Sequence, residues 1–103
     1  MTRVFVTGLG VVSSIGLGKD AFWRALCEGR SGANEVESFD TSQMARHVAC
    51  EVRAFERRDF LSAAELRRTG RCSAFALAAA RMAVEDAGIS AELLRGERTA
   101  VVI

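Results

Sequence analysis

The 103-residue sequence predicts an α/β fold built on parallel strands, and three observations carry that prediction. First, Val4 to Thr7 and Ala100 to Ile103 are short runs rich in β-branched residues, apolar on both faces, the pattern of strands inside a sheet. Second, two helical stretches lie between them, so the order is strand, helix, long connection, helix, strand. In such a crossover unit the two strands are expected to lie parallel, as neighbours, in a right-handed connection. Third, Cys72 to Ala80 carries no charge, and Ser73 is its one polar residue. Ala74, Ala76, Ala78, Ala79, Ala80, Ala83 and Ala87 place small side chains on every side of that helix, which is expected to be covered nearly all round in an inner layer.

Each element has a local reason. Arg3 to Thr7 is stopped by Gly8, and the glycines at 8 and 10 are expected to bend a strand that continues through Val11 and Val12. From Lys19 to Glu28, Phe22, Trp23, Leu26 and Cys27 recur at three- and four-residue steps, and Gly29 supplies the stop of a three-turn helix. Arg30 to Ser38 reads as loop. Phe39 to Ser42 offers an N-cap for at most one turn over Gln43 to Arg46, and His47 to Val52 is a short edge strand. Ser62 with Glu65 fits a capping box, Thr69-Gly70 an interruption, and Gly88-Ile89 a Schellman stop of the long helix. Ser90 to Leu94 is a capped turn before the second strand.

Composition narrows the function classes. One hundred and three residues hold one core at most, and half apolar with a quarter charged is ordinary for a soluble domain. Lys+Arg 14 against Asp+Glu 13 gives no reason to expect nucleic acid or an anionic membrane as partner. No window reaches the roughly 18 apolar residues of a membrane span, and the glycines between Val4 and Gly18 argue against a signal-peptide core. Cys27, Cys50 and Cys72 form neither a disulfide framework nor a zinc ribbon, which points to free thiols and a cytoplasmic location. Two parallel strands do not make a stable sheet alone, so the chain is expected to be the first piece of a larger α/β protein.

Candidate chemistry is sparse. Gly8-Leu9-Gly10 after a strand suggests a dinucleotide loop, but Ser13 stands where the third glycine belongs, and tight turns account better for these glycines. A nucleotide-binding domain is thus a distant alternative. Gly16 to Asp20 fails as a phosphate loop for the same reason, since Asp20 replaces the magnesium-binding hydroxyl. His47 and Cys50 are half a metal site with no second half. No cofactor or metal is therefore expected. Between Arg57 and Arg71 five arginines (57, 58, 67, 68, 71) face two acids, Asp59 and Glu65. Adjacent Arg67 and Arg68 suit an acidic helix or a phosphate, while a solvated charged face is the simpler account from composition alone.

Taken in order, several pieces resemble the opening of a β-ketoacyl-acyl carrier protein synthase. They are Arg3 to Ser13 with Gly16, Phe22-Trp23, Leu26, Gly29, Ser31-Gly32, Phe39-Asp40 and Glu65 with Arg67-Arg68. They continue with Ala76 to Ala80, Glu85 to Gly88 and Val101 to Ile103. The nearest likeness is to the elongating synthase of type II fatty acid synthesis and its polyketide ketosynthase relatives.

That resemblance implies a thiolase-like fold, five layers α-β-α-β-α in the full protein, of which these residues are the first strand-helix-helix-strand part. It implies acyl transfer from carrier-protein phosphopantetheine to a cysteine, then decarboxylative condensation with malonyl-carrier protein. None of the catalytic residues falls in this stretch, and the nucleophile is not Cys27, Cys50 or Cys72. It also implies an acidic acyl carrier protein docking partly on Arg67 and Arg68, at the start of the long helix, and a dimeric enzyme. Ala64, Thr69-Gly70-Arg71-Cys72 and Ser14 depart from the family pattern. They leave open a specialised ketosynthase or a non-catalytic, chain-length-factor-like partner subunit, and so a homodimer or a heterodimer with a ketosynthase-like partner.

Overall fold

A computed structural model describes residues 2–102. The chain from Thr2 to Val11 is extended and leads into a two-residue hairpin, β1 (Val12–Ser13) against β2 (Gly16–Leu17), in antiparallel register Val12 to Leu17. The Ser13 hydroxyl closes the turn, donating to the Gly16 carbonyl at 2.8 Å and accepting from the Gly16 N–H at 3.1 Å. Here the sequence stops short of a continuous strand, because a side chain that caps its own turn competes with the ladder.

Helix α1 (Lys19–Cys27) follows at once, with Asp20 in its first turn. Gly29, at φ +66°, takes the left-handed position past its end. The face it buries is centred on Ala25, with Phe22 half-covered, while Trp23 and Leu26 stay 64% and 50% exposed. A second antiparallel pair then forms, β3 (Asn34–Glu35) with β4 (Val48–Ala49). The edge strand at 47–52 is thus present in shortened form, and part of the predicted loop at 30–38 is its partner.

A single 3₁₀ turn at Arg57–Asp59 precedes α2 (Ala63–Arg68) and α3 (Arg71–Ala87). The break at Thr69-Gly70 falls as the sequence indicates. Gly88, at φ +63°, ends α3. Its N–H reaches the Glu85 carbonyl at 3.1 Å, and the Ile89 N–H reaches the Val84 carbonyl at 3.3 Å, the second being the six-to-one bond of a Schellman motif. A last turn, α4 (Ala91–Leu94), is capped by the Ser90 hydroxyl.

The core sits where α3 meets the 55–61 segment: Phe55, Leu61, Ala74 and Ala78 are buried, with Val12, Leu17, Phe60, Leu66, Phe75 and Met82 packed around them. Phe55 stacks on Phe60 with ring centres 5.3 Å apart and meets the edge of Phe75 at 4.8 Å, an arrangement that adds to simple burial. On another side of α3 the N-terminal segment crosses against bare helix backbone. A Cβ placed on Gly10 would run into the Ala79 carbonyl and lie 2.8 Å from the Ala83 nitrogen, and one on Gly8 would lie 2.8 Å from the Ala87 Cβ. These glycines therefore serve close approach to an alanine-lined helix, not the tight turns their spacing suggests. Neither has a positive φ.

One expectation is corrected and another is met only in part by these residues. Val4 to Thr7 pairs with no strand, and Val4, Phe5 and Val6 are wide open, as are Val101 and Val102 at the far end. Ile103, the last residue of the predicted second strand, lies outside the described residues. The reason is the nature of a strand: its hydrogen bonds belong to two segments at once, and no partner for either run is among the described residues. The strand-helix-helix-strand unit therefore appears here as its helices alone, and the parallel crossover pairing is not formed. The long helix is covered by the described residues on two sides, by the 55–61 segment and by the N-terminal segment, and stays open elsewhere; Ala76, Leu77 and Ala80 are exposed. A radius of gyration of 16.7 Å, against about 13 Å for a compact chain of this length, agrees with that open side.

Candidate functional site

The arginine cluster splits into two working groups. Arg57 donates to the Leu66 carbonyl at 2.7 Å. Arg71 donates to the Val52 carbonyl at 2.5 Å and lies 5.2 Å over the Phe75 ring, a cation–π placement. Both are structural. Arg58, Arg67 and Arg68 are exposed and, among the described residues, form no ion pair. Arg67 and Arg68 occupy the last turn of α2 rather than the start of the long helix. Cations there complement the negative end of the helix dipole, so they also support the short helix that carries them.

A helix of six residues is too short to hold itself in water, and its fixtures are visible. The Ser62 hydroxyl accepts from the Glu65 N–H at 3.4 Å, and Glu65 Oε2 accepts from the Ser62 N–H at 2.8 Å, completing the predicted capping box. The same carboxylate receives Arg81 from α3, with Nη2 at 2.7 and 3.0 Å from its two oxygens, and Arg81 Nη1 donates to the Phe60 carbonyl. The Ser62 backbone and hydroxyl donors, with Arg81 beside them, hold the Glu65 carboxyl below its ordinary range. The sequence shows the cap but not this second partner. Its one trace is that Arg81 is the sole charged residue between Cys72 and Val84.

The other candidates are absorbed by structure. Lys19 pairs with Asp86 of α3, which also accepts the Leu9 N–H at 3.0 Å and so fastens the glycine segment. Lys19 is raised and Asp86 lowered in pKa, each chiefly through their shared hydrogen bond. His47 Nδ1 lies 2.9 Å from the Thr41 hydroxyl. Cys27, Cys50 and Cys72 are free and exposed. Among the described residues no group of three or more His, Cys, Asp or Glu side chains could hold a metal ion, and no helix is long and apolar enough to cross a membrane.

One acid has a measurable consequence. Glu51 accepts the Ser38 hydroxyl, the Glu37 N–H at 3.0 Å and the Ser38 N–H at 3.2 Å, with Arg53 at 3.4 Å. The Ser38 hydroxyl above all, then the Glu37 N–H, pull its pKa from 4.5 to about 2. A depressed carboxylate contributes stability that is fully present above its unfolded pKa and is lost as pH falls through its folded one. The unfolding free-energy difference between the native protein and Glu51→Gln is therefore expected to shrink between pH 5 and pH 2. A difference that stays constant over that window would overturn the assignment.

An N-terminal segment packed by glycine on an alanine-lined helix, and a short braced helix bearing two exposed arginines, belong to a domain of mixed helix and strand. Comparison with known proteins narrows that class. All of residues 1–103 match the family model "Beta-ketoacyl synthase, N-terminal domain", and the chain belongs to that family. The 3-oxoacyl-[acyl-carrier-protein] synthase 2 of Coxiella burnetii is 38% identical over 101 residues, 98% of this chain and 24% of that protein. The tetracenomycin polyketide synthase ketoacyl synthase beta subunit of Streptomyces glaucescens is 38% identical over 89 residues, 86% of this chain and 22% of that one. Among solved structures, the ishigamide ketosynthase/chain length factor superposes with a TM-score of 0.78 at 44% identity, over 84% of this chain and 22% of the other. The fold is thus thiolase-like, and the chain spans about a quarter of the length of the curated relatives it matches.

Proposed function

We propose that this chain is the N-terminal portion of a β-ketoacyl-acyl carrier protein synthase, an acyltransferase of fatty acid or polyketide chain elongation. The observation that carries the reading is the family match across all 103 residues. In the full protein the exposed runs at 4–7 and 100–102 join sheets of a five-layer α-β-α-β-α architecture, and the open side of α3 becomes an inner face. The reaction moves an acyl group from the carrier thioester to a cysteine, which releases the carrier thiol. Malonyl-carrier protein then loses carbon dioxide, and its enolate attacks the acyl-enzyme to expel the cysteine thiolate. Those groups lie outside this chain, as does most of the dimer interface. The protein acts in the cytoplasm, needs no cofactor, and functions as a dimer.

What this chain contributes to the reaction is carrier recognition. Among the described residues Arg67 and Arg68 form no ion pair, and they stand exposed on a braced helix, which suits electrostatic docking of an acidic surface. Reversing both charges, Arg67→Glu with Arg68→Glu in the full-length protein, is expected to raise the KM for acyl-carrier protein roughly tenfold at low salt. The kcat should stay unchanged, and the difference should fade as salt rises. An unchanged KM at low salt would reject the docking role.

A second reading rests on a specific likeness. The ishigamide ketosynthase/chain length factor and the tetracenomycin beta subunit are both among the similar proteins, which favours a non-catalytic, chain-length-factor-like partner subunit. A full-length protein that condenses nothing alone, but enables a partner ketosynthase to do so, takes this reading.

A further inference from the structure

We propose that Arg81 is a positioning residue for carrier-protein recognition: it touches no partner itself but fixes the orientation of the helix that presents Arg67 and Arg68. The inference rests on the docking role given above to those two arginines. Its basis is the way α2 is tied down. Six residues separate Ser62 from Thr69, so the direction in which Arg67 and Arg68 project depends on what grips the helix from outside. Arg81 grips both the approach and the first turn, through the Phe60 carbonyl and the Glu65 carboxylate. A planar guanidinium can hold two acceptors in a fixed fork, which a point-charge ammonium cannot. At the far end the Arg57 guanidinium holds the Leu66 carbonyl at 2.7 Å.

The base of the fork is α3, which is anchored in the core by the wholly buried Ala74 and Ala78. Arg81 thus transmits the position of the core to an exposed helix. A binding helix whose contacts are electrostatic needs its charges in register with the partner, because misplaced charges keep long-range attraction but lose specific pairing. The Arg81 side chain is itself 48% exposed, so its removal leaves no cavity.

The test is a mutant cycle in the full-length protein, reading the Kd for holo-acyl carrier protein at low salt and the thermal midpoint of each variant. Arg81→Met is expected to weaken binding about threefold to tenfold with an unchanged folded state, and Arg81→Lys to restore only part of the loss. On the background of Arg67→Glu with Arg68→Glu, Arg81→Met is expected to add nothing, since there is no longer a docking pair to orient. If Arg67→Glu with Arg68→Glu weakens binding but Arg81→Met does not, or if the two losses simply add, the positioning role is overturned while the docking role stands. If the charge reversal itself leaves Kd unchanged, docking at these arginines fails, and the positioning role with it.

Discussion

Gly10→Val is expected to be the most damaging single change in this chain, costing more than about 3 kcal/mol of stability. Its Cβ would overlap the Ala79 carbonyl, with the Ala83 nitrogen 2.8 Å away. Overpacking against side chains is often relieved by a rotamer change, but here the obstruction is helix backbone. The N-terminal segment must then lift from α3, which also breaks the Leu9 N–H bond to Asp86. Denaturant unfolding of the full-length protein checks this. Loss of under 1 kcal/mol would show that the segment does not lie on the helix.

Phe55→Ala is the second large effect, with an expected cost of about 3 to 4 kcal/mol. Phe55 is 5% exposed and is the ring on which Phe60 stacks and Phe75 closes. Truncation removes two aromatic contacts and leaves a cavity walled by Leu61, Ala74 and Ala78. Because Phe60 precedes α2 and its carbonyl receives Arg81, the arginine-bearing helix should loosen as well. Unfolding midpoints check the stability, and a loss below about 1.5 kcal/mol would mean that the site collapses around the missing ring.

What was legible in the sequence was what is local. The capping box at Ser62 and Glu65, the break at Thr69-Gly70 and the stop at Gly88 each depend on residues within a turn of one another. Composition marks 4–7 and 100–103 as strand runs, yet whether they pair depends on distant chain. The small pair at Asn34–Glu35 has no apolar pattern and was invisible for that reason. The spacing of Gly8 and Gly10 suggests turns, whereas close approach to a helix seventy residues away leaves no mark on neighbouring positions.

The candidate site divides in the same way. Arg67 and Arg68 stand out as adjacent charges. The groups that hold them in place, Arg57 and Arg81, do so through contacts 9 and 16 to 21 residues apart. Periodicity assigns Arg81 to a helix but cannot say which carboxylate it meets.

The crossing of Gly10 over α3 also limits how mutation can be repaired. A bulky side chain facing a glycine can be trimmed by a second substitution, whereas a main-chain oxygen at position 79 is common to all twenty amino acids. Second-site suppressors of a larger residue at position 10 should therefore never arise by shrinking Ala79 or Ala83; they must re-route the N-terminal segment or strengthen its anchorage elsewhere.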